Sequence, residues 1–237
     1  MTKEMTMKLI LNGGGCGDKT KSIYTVLNSM IDNTKPILCI PLAREKDESG
    51  YENSKKWLSA EIANINYTEL VMADSVEHLA GLNLSDFGMI YISGGNTYKL
   101  LRDLKSTQFL HNINEYLKNG GVVYGSSAGA IIFGQTIKTS SDKNNVELLD
   151  LDGYNFVGGF SIAAHYTSKN EEKTKLATEH LTELSKTYPV IALPEEDSII
   201  IDGDRVRVIG DRDYYMFRKG EKIQCNVSDG CIDLNKL

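Results

Sequence analysis

Short apolar runs alternate with amphipathic segments along most of this chain. The run "MKLILNGGG" predicts a buried strand that ends in a glycine loop. From Asp18 to Ile31 the apolar positions Ile23, Val26, Leu27 and Met30 recur at helical spacing and share one face. "PILCIPLA" predicts a second strand, followed by a helical stretch from about Ser54 to Ile65, and "YTELVMA" a third. "FGMIYISGGNT" is a fourth strand entering a glycine turn, with a helix from about Thr97. "HNINEYLKNGG" is a helix closed at Gly120, "GVVYGSS" a fifth strand, and "AGAIIFG" a short helix. Strands and helices in strict alternation imply an α/β fold: a mostly parallel, doubly wound sheet with helices on both faces.

The pattern changes near the C-terminus. "PVIALPEEDSIIIDGDRVRVIGDRDYYMFRKGEK" alternates apolar and polar residues around an Asp-Gly pair at 202–203. It predicts C-terminal β-hairpins added to the sheet edge. No Pro- or Ser-rich linker interrupts the chain, so residues 1–237 are expected to form a single domain.

Composition narrows the function classes. Of the 237 residues, 26 are Lys or Arg and 32 are Asp or Glu, a formal charge of −6 that argues against a nucleic-acid surface. No apolar run is long enough to span a membrane, and the N-terminus lacks the apolar core of a signal peptide. The four cysteines show no CxxC spacing, which suits a reducing compartment, so the expected location is cytoplasmic. The four histidines are too dispersed to suggest a metal site.

Candidate chemistry concentrates at strand ends, where open α/β sheets place their sites. "GSSAG" satisfies G-x-S-x-G in one register only: Gly125, Ser126, Ser127, Ala128, Gly129. In such an elbow the strand turns sharply into a helix, and the flanking glycines let the two backbones pass closely. Ser127 takes the exposed tip and Ser126 becomes its neighbour. The amide of Ala128, at the helix N-terminus, is placed to hold an oxyanion.

A serine nucleophile needs a base and an orienting acid. His78 and His180 lie in amphipathic helical stretches and His111 opens a helix. His165, in "VGGFSIAAHYTSKN", follows an apolar run at a strand end and is the best base candidate. Asp142 in "TSSDKN" and Glu195 in "IALPEEDS" both follow apolar segments, and the residues alone do not choose between them. The glycines of "NGGGCGDK" fit neither a P-loop nor G-x-G-x-x-G; they suggest close backbone approach by a ligand or a neighbouring loop, and read first as a structural turn. Tyr98, Tyr154 and Tyr166 flank the candidate site in sequence.

"ISGGNTYKLL", "GSSAGA", "TSSD", "AAHYT" and "IALPEE" occur in an order and at a spacing that resembles the peptidase E (aspartyl dipeptidase) family of serine peptidases. Cyanophycinases belong to the same broader group. The resemblance covers most of the chain and implies a class I glutamine amidotransferase-like fold, with serine where those enzymes carry cysteine. It further implies Ser127 as nucleophile, His165 as base, Asp142 or Glu195 as third member, and the amides of Gly95 and Ala128 as oxyanion hole. Asn96 and Lys173 fall at substrate-binding positions. The implied activity is hydrolysis of short peptides through an acyl-enzyme, without metal or organic cofactor, by a monomer or homodimer. The chain departs from the family where an arginine is expected to meet an N-terminal aspartate: Lys173 stands there, beside Glu171 and Glu172, and no arginine occurs between Arg102 and Arg205. The resemblance therefore carries the hydrolytic machinery but not Asp-X specificity. The alternatives are an isoaspartyl or cyanophycin-type peptide hydrolase, or a binding protein that keeps the fold without the catalysis.

Overall fold

A computed structural model describes residues 7–44, 59, 62, 65–167, 170–229 and 231–232. The helical stretch expected around Ser54 to Ile65 lies largely outside the described residues.

Eight strands form the main sheet, in the order β12-β9-β8-β1-β5-β4-β2-β3. Five are parallel: β1 (Lys8–Asn12), β2 (Ile37–Ile40), β3 (Leu70–Met72), β4 (Met89–Ile92) and β5 (Val122–Ser126). The antiparallel extension is β8 (Ser198–Asp202), β9 (Arg205–Ile209) and β12 (Cys231–Ile232), with β8 joined to β1. The parallel strands bury both faces, which explains their continuous apolar runs. Alternate residues divide cleanly between two cores. Leu9, Leu11, Leu38, Ile40, Ile90, Ile92 and Val123 face one side. Ile10, Ile37, Cys39, Met89, Tyr91, Val122 and Tyr124 face the other.

Helices cover both faces. Helix α1 (Lys21–Met30) buries Ile23, Tyr24 and Leu27 against the second of these cores. Helix α2 (Val76–Ala80), helix α3 (Thr97–Lys105), helix α4 (Phe109–Lys118) and the single turn α5 (Ala128–Ile131) cover the first. The expected α/β architecture is thus the observed one.

The C-terminal third departs from the expectation of hairpins on one sheet edge. The β8–β9 hairpin does extend the main sheet. The second hairpin, β10 (Tyr214–Arg218) with β11 (Glu221–Cys225), belongs to a separate four-stranded sheet, β11-β10-β7-β6. Its turn residues Lys219 and Gly220 both have positive φ, the geometry that matches a hairpin's own twist. There β6 (Ser161–Ala163) and β7 (Val190–Ala192) run parallel, connected through helix α6 (Glu171–Leu184). The sheet separates because β7 takes its partners on both sides from β6 and β10, leaving β8 to pair with β1. It turns Ile162, Ile191 and Met216 toward the large core. Ala163, Val190, Ala192 and Phe217 face Leu181 of α6 and Tyr166.

Candidate active site

Strand order decides which loops meet. β5 lies between β1 and β4, so the carboxyl ends of all three stand side by side. Each ends in small residues: Gly13–Gly15 after β1, Gly94–Gly95 after β4, and Ser127 after β5.

Ser127 is the N-terminal flanking residue of α5, with φ 52° and ψ −112°. That conformation costs a non-glycine residue about 1–3 kcal/mol, and three contacts impose it. A Cβ on Gly125 would collide with the carbonyl of Gly129, and one on Gly129 with the carbonyl of Ile92. The Ser127 amide donates to the Asn12 carbonyl at 3.1 Å, fixing the turn to β1. Ser126 closes strand β5, 3% exposed and in register with Asn12.

The Ser127 Oγ lies 2.9 Å from His165 Nε2. His165 Nδ1 lies 2.9 Å from Glu195 Oε1. With the proton on Nδ1 donated to the carboxylate, Nε2 is left to accept from the serine hydroxyl. His165 follows β6 of the second sheet rather than a strand of the first, and has a positive φ of 57°. Its amide donates to the Gly13 carbonyl at 2.8 Å. Tyr166 anchors the same turn by packing edge-on against Tyr215 and Phe217. Tyr154 packs against Phe109 and Phe133 instead. Both rings are thus packed into aromatic clusters.

Of the two acids left open by the sequence, Glu195 meets His165. The Asp142 carboxylate accepts from the amide and hydroxyl of Thr97, at 2.8 and 2.7 Å, and from Ser140 Oγ at 2.9 Å. It caps the start of α3, where a negative charge also favours the helix dipole.

The Gly94–Gly95 turn lies against the nucleophile: a Cβ on Gly94 would be 3.0 Å from Ser127 Cβ. Gly95, at φ 144°, has no room for a side chain beside Ala43. Among the described residues the amides of Gly95 and Ala128 have no hydrogen-bond partner. Asn96 is committed to structure. Its Oδ1 accepts from the Lys99 amide, and its Nδ2 donates to the Lys143 carbonyl. Lys173 sits exposed in the first turn of α6. Among the described residues its ammonium makes no hydrogen bond or ion pair.

Two residues that the sequence reading passed over hold this site together. The buried Asn12 side chain donates to the carbonyls of Glu195 and Asp197 and to Ser198 Oγ. Lys19 Nζ reaches Glu195 Oε2 at 2.5 Å. Burial would raise the Glu195 carboxyl, but hydrogen bonds from Lys19 and His165 outweigh it and hold it below the usual carboxylate range. The run of three glycines was the available signal: main chain packed that closely has something beside it. Here the neighbours are Pro194, His165 and Glu195.

Serine at a strained elbow, in line with a histidine and a carboxylate, on a mostly parallel α/β sheet, defines a serine-type hydrolase. The family model for peptidase family S51 matches residues 9–209, and the chain belongs to that family of serine peptidases. It is 34% identical over 140 residues to peptidase E of a Nostoc species, a match spanning 57% of each chain. It is 28% identical over 187 residues to peptidase E of Shewanella denitrificans, covering 70% of this chain and 79% of that one. Among solved structures, a peptidase from an acI-B1 Actinobacterium superposes with a TM-score of 0.74 at 20% identity, over 97% of both chains. A putative peptidase E from Listeria monocytogenes EGD-e gives 0.65 at 24% identity, over 87% of this chain and all of that one. Among the described residues no helix is long and apolar enough to cross a membrane.

Proposed function

We propose that this protein hydrolyses short peptides by acyl transfer through Ser127, His165 and Glu195. The observation that carries the reading is the continuous pair of 2.9 Å contacts from Ser127 Oγ to His165 Nε2 and from His165 Nδ1 to Glu195 Oε1.

His165 takes the hydroxyl proton as Ser127 Oγ bonds to the carbonyl carbon of the scissile amide. Charge moves onto the carbonyl oxygen, where the amides of Gly95 and Ala128 are available as donors. Losing one such donor typically costs on the order of a hundredfold or more in rate. The imidazolium, balanced by Glu195, then protonates the amine as the C–N bond breaks. Water gives its proton to His165, attacks the acyl-enzyme and releases the new carboxylate with Ser127 restored.

The test is turnover of a dipeptide panel by wild type, Ser127→Ala and Ser126→Ala. Ser127→Ala should lose about a thousandfold or more, whereas Ser126→Ala should keep measurable turnover. Unchanged turnover in Ser127→Ala rejects the reading. Equal loss in both variants rejects the assignment of the elbow tip.

A further inference from the structure

Glu195 uses both carboxylate oxygens, one on His165 and one on Lys19. We infer that Lys19 is a positioning residue for catalysis, a fourth member of the line Ser127–His165–Glu195–Lys19 that aims the Glu195 carboxylate and offsets its charge. The inference rests on the reading of Ser127, His165 and Glu195 just proposed.

The geometry is a two-point hold from one loop. Beyond β1 the chain passes through Gly13–Gly15 into a short 3-10 turn, Gly17–Thr20, that carries Lys19. The Gly15 amide donates to the Glu195 main-chain carbonyl at 3.0 Å. Lys19 reaches the same residue's carboxylate, 176 residues away in sequence. The turn is itself braced. The Lys19 amide donates to the Cys16 carbonyl, and Thr20 Oγ1 lies within hydrogen-bond distance of the Gly17 carbonyl and of Tyr24 Oη. A carboxylate with one oxygen free can swing about its terminal torsion. With Oε2 held by an ammonium, Oε1 keeps its aim at Nδ1.

The charge matters as well as the aim. An uncompensated carboxylate beside imidazole favours imidazolium, which cannot accept the serine proton. An ammonium on the far oxygen opposes that bias while leaving the carboxylate able to balance the imidazolium formed during the reaction. Besides Glu195, Lys19 is faced by Glu196 and Cys16. Glu196 is itself faced by Arg212 at 3.8 Å, and the nearby Asp18 carboxylate is turned to Lys21. The Lys19 side chain is half exposed, so its effect is screened and moderate. Across one carboxylate at a wet surface a unit charge is worth roughly half a pH unit.

The experiment measures the rate at which a fluorophosphonate modifies Ser127, as a function of pH. It compares wild type, Lys19→Gln, Lys19→Arg and Ser127→Ala. This readout needs no knowledge of the natural substrate. Lys19→Gln should react about three- to tenfold more slowly at pH 7, with the acid limb of its profile moved up by roughly half a unit. Lys19→Arg should stay within about twofold of wild type, because it keeps the charge. If Lys19→Gln matches wild type in rate and profile, the inference is overturned while Ser127 stands. Equal slowing in both Lys19 variants with no shift in profile also overturns it, since packing alone would then explain the loss. If Ser127→Ala is modified like wild type, or wild type is inert, the underlying reading fails and this one with it.

Discussion

Gly14 and His165 touch face to face: a Cβ at Gly14 would occupy the space of the imidazole ring. Gly14 also has φ 104°, which L side chains rarely adopt, and its amide donates to Asn12 Oδ1 at 2.8 Å. Gly14→Ala therefore both strains the loop and pushes the base away from Ser127. A displacement of about 1 Å can cost a hundredfold in rate. The expected result is a loss of about tenfold or more in kcat, with a thermal midpoint lowered by only a few degrees. Steady-state kinetics beside a melting curve separates the two, and a variant with full kcat contradicts the placement of His165.

Glu195 and Asp142 make opposite predictions. Glu195→Gln replaces the acceptor for Nδ1–H and should lower kcat by about a hundredfold to ten-thousandfold, with KM little changed. Asp142→Ala removes the cap on α3 and should cost roughly 1–3 kcal/mol of stability. Its loss of activity should be much the smaller of the two. Kinetics and chemical denaturation on both variants decide this, and a larger kcat loss at Asp142 would reverse the assignment of the acid.

Asp197 gives the stability of this protein a distinctive pH dependence. Burial is the main cause that raises its carboxyl from 3.8 to about 7, with the charge of Glu196 adding to it. Between those values the native protein holds a proton that the unfolded chain has lost. Stability therefore falls as pH rises from about 4 to 7, by on the order of a few kcal/mol. Glu195, held low, acts in the other direction and only at acid pH: its contribution is lost as pH falls below the usual glutamate value. Denaturant titrations of wild type and Asp197→Asn at pH 5 and pH 8 should show the variant relatively more stable at pH 8. The same difference at both pH values would mean that the native state keeps Asp197 ionised.

On the reading proposed above, Lys173 bears on substrate choice. It is exposed, follows Glu171 and Glu172, and supplies a single ammonium where a bidentate fork is expected for an aspartyl side chain. Asp-X dipeptides should be cleaved no faster than Ala-X dipeptides. Lys173→Arg should raise the Asp-X to Ala-X ratio of kcat/KM by several-fold. Efficient Asp-X cleavage by wild type would show that another residue reads the acidic side chain.

Much of this molecule could be read from residue order, because its parallel strands and elbow are local patterns. Strands β1 to β5 are continuous apolar runs, and Ser127 is singled out by glycines two residues to either side. The second sheet could not be read the same way. β6 and β7 are three residues each, too short to carry a period, and their pairing is a tertiary fact. The choice of Glu195 over Asp142 likewise depends on which strand β1 accepts as its antiparallel partner. Lys19 was passed over, since nothing near it in sequence shows that residue 195 folds back over it. Their place after apolar segments brought the two acids forward together, and Glu195 is the one that meets His165.

Ser127 belongs to the main sheet, whereas His165 and Glu195 are carried by loops that leave the second. They lie 38 and then 30 residues further along the chain. The strand that flanks β1 on its other side, β8, follows the acid in sequence. In chain order the serine elbow therefore precedes both side chains lined up behind it. Two of the three side chains in line are thus supplied by the last third of the chain, so the line cannot form until that third has been made and docked.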